Sequence, residues 1–152
     1  MFDIRTADGA VVGRPRVVLV NCVAWTIVLV GGSLLGWFSL PQHIRDLFTE
    51  LQVGTLVLFL AFILAFLWTV GLSYVRADAS GLHFRNGLRT HHRPWSDVLG
   101  FRFAPGDPWA FVQLDDPAGR LALMGVMRTD GARADAIVAA LREAQRSFGG
   151  GR

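Results

Sequence analysis

The chain has 152 residues, 52% of them hydrophobic, with a mean hydropathy of +0.40, too apolar for an ordinary soluble domain of this size. All fifteen cationic side chains are arginine and the net charge is only +3, with no block of like charge, which excludes a nucleic-acid-binding tail. The single cysteine, Cys22, excludes an internal disulfide and a cysteine-based metal centre.

Taken in order, Met1–Arg16 reads as a mobile polar leader, with Gly9, Gly13 and Pro15 breaking it up. Arg14 and Arg16 stand directly before an apolar run, residues 17–40, read as a first membrane span. It is longer than the roughly 7–15 residues of a signal-peptide core and no small-residue cleavage site follows it, so it is read as uncleaved. Residues 41–53 form a connector in which His43, Arg45, Asp46 and Glu50 alternate with Ile44, Leu47, Phe48 and Leu51. That spacing fits a short interfacial helix or a plain hairpin loop. The second span, residues 54–75, carries no charge; as a helix it reaches roughly 33 Å, enough for the bilayer core of about 30 Å.

Arginines near the spans set the expected orientation. Arg5, Arg14 and Arg16 precede the first span, Arg45 lies in the connector, and Arg76, Arg85, Arg89 and Arg93 follow the second. The positive-inside rule then places both termini of this two-span chain in the cytoplasm and the connector outside. Gly32 and Gly36 in the first span, and Ala61 and Ala65 in the second, form small-xxx-small steps. These would pack the spans on each other or mediate a homo-oligomer.

After Arg76 the apolar period changes from helical to alternating. Ser80-Gly81 marks a turn between Tyr74–Ala79 and Leu82–Arg85, and Asn86-Gly87 marks the next. A three-residue loop Arg85-Asn86-Gly87 is preferred there, because it pairs Phe84 with Leu88 and His83 with Arg89. Further strands are expected at Leu99–Ala104, with Leu99, Phe101 and Phe103 on one face, at Trp109–Leu114 and at Arg120–Met127. A final helix, capped by Thr129 or Asp130, carries the stripe Ala134, Ile137, Val138, Leu141, Ala144 and Phe148. The domains expected are thus a leader (1–16), a transmembrane hairpin (17–75) and a small antiparallel β-barrel or sandwich closed by a C-terminal helix (76–148).

Gly81-Leu82, the run from Arg85 to Thr90, Pro94-Trp95-Ser96-Asp97-Val98, Gly106-Asp107-Pro108-Trp109 and Asp130-Gly131-Ala132-Arg133 occur in that order. In this the chain resembles the bacterial PH-like domains, and in particular the family named for an actinobacterial low-molecular-weight protein antigen. The resemblance covers roughly half the chain. It implies a curved antiparallel β-structure capped by a helix, behind two spans, and it gives structural roles to Asn86, Gly87, Pro94, Trp95, Asp97, Gly106, Asp107, Pro108 and Trp109. It implies no settled activity. Lipid-reading PH domains grip phosphoinositides with a basic first hairpin, whereas the turn Ala79-Ser80-Gly81 here has no arginine.

The candidate binding face is the second hairpin, where Arg85, Arg89, His91 and Arg93, with His83, are expected to project as one stripe toward anionic headgroups or a protein partner. His91-His92 alternate across the strand and so do not make a metal site. No nucleophile elbow, phosphate loop, zinc-protease or dinucleotide motif is present, and neither span contains an acid or base for a transport path. The expectation is a non-enzymatic membrane-anchored binding or scaffolding module without cofactor or metal, whose partners are membrane lipids and a protein. The rival expectation is an accessory subunit of a membrane enzyme or transporter, assembled through the hairpin.

Overall fold

The computed structural model describes residues 4, 6, 9–117 and 119–150, and the remainder of the leader, Ala118 and the last two residues lie outside them. Along the chain come β1 (Val11–Gly13), α1 (Arg16–Ser39), the single turn α2 (Gln42–Arg45), α3 (Glu50–Gly71) and β2 (Tyr74–Asp78). They are followed by β3 (Gly81–Asn86), β4 (Arg89–Arg93), β5 (Val98–Arg102), β6 (Trp109–Leu114), β7 (Arg120–Met127) and α4 (Ala132–Phe148).

α1 and α3 are long and apolar enough to cross a membrane. Over their most apolar stretches only 6% and 0% of residues are buried in the protein. α3 begins with a capping box, in which Gln52 N–H donates to Thr49 Oγ1 (3.3 Å) and Thr49 N–H to Gln52 Oε1 (2.9 Å). It stops at Gly71, so Tyr74 and Val75, expected inside the second span, belong to a strand instead.

The two helices meet at the end nearest the β domain. Cys22 is buried there with Sγ 3.5 Å from the Leu67 carbonyl, and Trp68 Nε1 donates to Thr26 Oγ1 (3.1 Å), which itself donates to the Cys22 carbonyl (2.7 Å). Toward the connector the helices splay. Gly32 and Gly36 have open space beside them, Ala61 and Ala65 are exposed, and the small-residue steps therefore do not pack against each other. The gap is an apolar groove of about 540 Å³ between residues such as Val30, Trp37, Leu56 and Leu60.

The leader is not merely a mobile tail. Val11–Gly13 pairs antiparallel with β2, opposite Val75–Ala77, and Val11 is buried in the core. The first sheet has the order β1-β2-β3-β4 and the second β5-β6-β7, every pairing antiparallel. Alternation explains the core: in β2, Val75 and Ala77 point inward while Arg76 and Asp78 do not. These residues meet Leu82 and Phe84 from β3, Val112 and Leu123 from the second sheet, and Ala134, Ile137, Val138, Leu141 and Ala144 from α4. In β5 a register shift between Val98 and Gly100 changes the parity, so Val98 and Phe101 are buried and Leu99 is exposed, against the expected alternation. α4 seals this edge: Arg142 Nη2 donates to the Phe101 carbonyl (3.1 Å) and Gln145 Nε2 to the Val98 carbonyl (2.8 Å).

Neither Thr129 nor Asp130 caps α4, which starts after Gly131 without a side-chain cap. The Asp130 carboxylate instead takes the backbone N–H groups of Arg16 (3.1 Å) and Val17 (2.9 Å), capping α1 from the far end of the sequence. The β domain is thereby tied to the first turn of the helical pair.

Candidate functional site

The second hairpin is built differently from the expected bulged turn. Asn86 pairs with Arg89, His91 with Phe84 and Arg93 with Leu82, leaving the two-residue loop Gly87-Leu88. Only Gly87 has a positive φ (+60°), which fits a turn with glycine at its first central position. The register is held from a distance: Asn86 Nδ2 donates to the Ala122 carbonyl (2.6 Å), and Asn86 Oδ1 accepts from Met124 N–H (3.1 Å). Asn86 therefore acts as a clamp between the two sheets. Replacing it by Asp removes the donor and sets a carboxylate against the Ala122 carbonyl. We expect Asn86→Asp to cost about 1–3 kcal/mol, read as a lowered chemical-denaturation midpoint; an unchanged midpoint would mean the clamp is dispensable.

This register divides the expected stripe between two faces. Arg89, His91 and Arg93 share the face of Leu82 and Phe84, while His83 and Arg85 lie on the opposite face with Thr90 and His92. The His91 ring stacks on the buried Phe84 ring at 4.9 Å, so it covers the core rim. Arg93 forms an ion pair with Asp116 at 3.1 Å, joining β4 to the β6–β7 turn. Arg85 Nε donates to the Gly87 carbonyl (2.7 Å) and braces the turn, and Arg89 is exposed.

The turn itself lies against the end of α3. Gly87 N–H donates to Ser73 Oγ (3.1 Å), with Ser73 buried, and Leu88 is 79% exposed at the tip. An exposed leucine flanked by Arg85 and Arg89 thus stands beside the point where the apolar helix ends. β4 is an edge strand, and among the described residues its backbone has no partner beyond β3.

A polar cluster occupies the first turn. Ser80 Oγ donates to Asp78 Oδ1 (2.6 Å) and lies 3.0 Å from His83 Nε2; His83 stacks on His92 at 4.2 Å, and Arg76 Nε donates to Asp78 Oδ2 (3.2 Å). Serine, histidine and aspartate are together, but Asp78 Oδ1 approaches the same Nε2 atom, at 3.7 Å. A relay needs the base and the orienting acid on opposite ring nitrogens, so this is a turn network. Hydrogen bonding from the Ser80 hydroxyl, then from its backbone N–H and from Arg76, with the nearby His83 charge, outweighs desolvation and holds the Asp78 carboxyl below its ordinary range. A depressed native pKa stabilises the fold fully above the unfolded carboxyl pKa of about 3.9, and this is lost as pH falls through the native value. We expect the stability difference between wild type and Asp78→Asn to shrink on acidification below pH of about 4, measured as denaturation midpoints; a constant difference would contradict the network.

The remaining motif residues have structural positions. Trp95 is buried beneath the domain edge and donates through Nε1 to the Asp78 carbonyl (2.8 Å), while its ring stacks on Phe148. Pro94 leads into the 3₁₀ turn Trp95–Asp97, and the Asp97 carboxylate accepts from Ser96 Oγ (2.9 Å). Asp107 Oδ2 accepts from Ala104 N–H (2.8 Å) across the turn through Gly106 and Pro108. Trp109 packs edge-on to Phe111, with its buried Nε1 lacking a partner among the described residues. Among the described residues no group of three potential ligands could hold a metal ion.

Two antiparallel sheets closed by a C-terminal amphipathic helix are consistent with a PH-like fold. Residues 73–146, about half of the chain, match the Bacterial PH domain family, and the two apolar helices precede that match. The match is to that family at large; the narrower likeness to the low-molecular-weight protein antigen group stays a resemblance. No curated protein matches the chain, and no solved structure does. PH domains are in general non-catalytic binding modules, no enzymatic family is indicated, and the domain suggests a binding or scaffolding role.

Proposed function

We propose that the chain is a membrane-anchored, non-enzymatic binding module that presents its PH-like domain at the inner face of the bacterial plasma membrane. The observation that carries this reading is the pairing of β1 with β2 across the helical pair. A strand on each side of the hairpin joins one sheet, so both outer ends of α1 and α3 lie on one side. Cleavage of α1 as a signal sequence would detach a strand of the domain. The helices are apolar all round yet almost wholly unburied, which fits a lipid environment and not the core helix of a soluble protein. Arginine counts on the two sides favour the cytoplasm for the domain.

The docking surface in this reading is the β3–β4 hairpin. Its tip, Leu88 with Arg85 and Arg89, meets headgroups, and the β4 edge offers backbone groups to an added strand of a protein partner. Tethering concentrates the domain at the surface, so weak contacts suffice there. In-cell photo-crosslinking from positions 85, 89 and 90, combined with carbonate extraction of membranes, tests this. Carbonate-resistant protein with protein or lipid adducts supports the reading. Extractable protein, or no adduct from any position, contradicts it.

A second reading is favoured by the open flank of Gly32 and Gly36 and the exposed Ala61 and Ala65: the hairpin packs against the spans of another membrane protein, as an accessory subunit or in a homo-oligomer. Gly32→Leu with Gly36→Leu then abolishes co-purification of that partner, and an intact complex removes the reading.

A further inference from the structure

A pocket away from the second hairpin brings together three arginines. Arg14 follows β1, Arg16 opens α1, and Arg133 lies in the first turn of α4, and all three line one concavity of about 280 Å³ with Val12 and Leu19. Sequence spacing gives no hint of this, because Arg133 reaches the site only through the packing of α4 on β1.

We propose that this pocket binds the phosphate of an anionic lipid headgroup. Planar guanidinium groups present paired N–H donors that match phosphate oxygens, and Arg14 and Arg16, both exposed at the rim of this concavity, can turn theirs toward a compact anion. Four arginines elsewhere in the domain are matched by carboxylates, Arg76 with Asp78, Arg93 with Asp116, Arg102 with Asp107 and Arg128 with Asp135. The side chains of Arg14 and Arg16 have no ion pair or hydrogen bond with described residues. The nearby Asp130 carboxylate is occupied by the backbone N–H groups of Arg16 and Val17. Arg133, 8% exposed and with a partner of its own, lies in the wall and adds positive charge there, not a free donor.

Position identifies the source of the phosphate. The pocket sits beside the first turn of α1, where the apolar run begins, and half-buried Leu19 and Val12 offer an apolar flank to the glycerol end of a lipid. Its volume lies just under the roughly 300–1,000 Å³ of small-molecule sites, a size suited to a headgroup. This assignment rests on the membrane reading, since only then is Arg16 at headgroup depth.

The test uses the full-length protein in detergent, with native mass spectrometry of bound phosphatidylglycerol, phosphatidylcholine and inorganic phosphate. We expect phosphatidylglycerol to bind in preference to phosphatidylcholine and to resist inorganic phosphate. Arg14→Gln with Arg16→Gln should weaken it by about tenfold or more. Arg120→Gln with Arg146→Gln removes the same charge elsewhere, at two exposed positions outside both the pocket and the hairpin tip, and should change it by less than about twofold. Matched unfolding midpoints show that all variants are folded. Equal loss in both double variants, no preference over phosphatidylcholine, or full displacement by inorganic phosphate would each overturn the assignment, the last by making it a soluble-phosphate site. Carbonate extraction of the wild-type protein reports separately on the membrane reading.

Discussion

A shortened chain in which residues 15–72 are replaced by Asn-Gly folds as a water-soluble domain, whereas residues 73–150 alone do not. The reason is that β1 and β2 are adjacent antiparallel strands, with Gly13 opposite Val75, so the helical pair is an insertion into a β-hairpin. A tight turn can close that hairpin as well as two helices do. Without β1, the buried Val11 and Ala10 are lost, and Val75, Ala77 and Ile137 are uncovered on that side. Full burial of one valine is worth about 1.5–3 kcal/mol. Losing the strand and uncovering its neighbours should therefore remove more than about 4 kcal/mol from a domain whose total is of order 5–15 kcal/mol. Dispersed amide resonances for the rejoined chain, and aggregation or collapsed resonances for residues 73–150, are the expected outcomes. A well-folded 73–150 fragment would show that β1 is only an accessory strand.

Gly125→Val should prevent folding. At Gly125, β7 crosses directly over the start of β2, and a Cβ there would lie 2.6 Å from both the Tyr74 carbonyl carbon and the Val75 nitrogen. Those are backbone atoms in a paired strand and cannot swing aside as a flexible side chain would. Separating the two sheets at this point opens the core around Val75, Leu123 and Val126, so we expect a loss above about 4 kcal/mol, the range of exceptional single substitutions. Gly100→Ala is the control, since its Cβ would meet only Gln113 Oε1 at an ordinary 3.7 Å. It should change stability by less than about 1 kcal/mol. Similar denaturation midpoints for the two variants would contradict the close crossing.

The elements legible in the sequence are those whose pattern is local. α4 carries its core stripe at helical spacing, and Ala134, Ile137, Val138, Leu141 and Ala144 are all buried, while Phe148 is left to cover Trp95. β2 shows its alternation directly, and α1 and α3 declare themselves by long apolar runs. What could not be read depends on contacts made across the chain. β1 is three residues long, too short for alternation to show, and it is a strand because β2 lies beside it. Asp130 looked like the cap of the next helix, but its partners are 113 and 114 residues away. In the second hairpin, local apolar matching favours Phe84 opposite Leu88, whereas the fold sets Phe84 opposite His91. In the fold, Asn86 is held by β7, His91 covers Phe84, and Leu88 is left exposed beside α3.

The same register divides the candidate site. A one-strand stripe of Arg89, His91 and Arg93 is correct as parity, but parity does not tell which face is the core. Arg85, braced on the turn, and Arg89 remain at the exposed tip, while His91 and Arg93 are committed to Phe84 and Asp116. The three-arginine pocket was invisible for the opposite reason: its members are unremarkable in sequence and become neighbours only when β1, α1 and α4 converge.

The most direct test of the central claim is thiol accessibility in intact spheroplasts. With Cys22→Ser as background, single cysteines are placed at His43 in the connector and at Leu88 on the hairpin tip, and each is exposed to a membrane-impermeant maleimide. A membrane hairpin with an internal domain predicts that position 43 is labelled in intact cells and position 88 only after lysis. Labelling of position 88 before lysis, or of neither position until lysis, would contradict it.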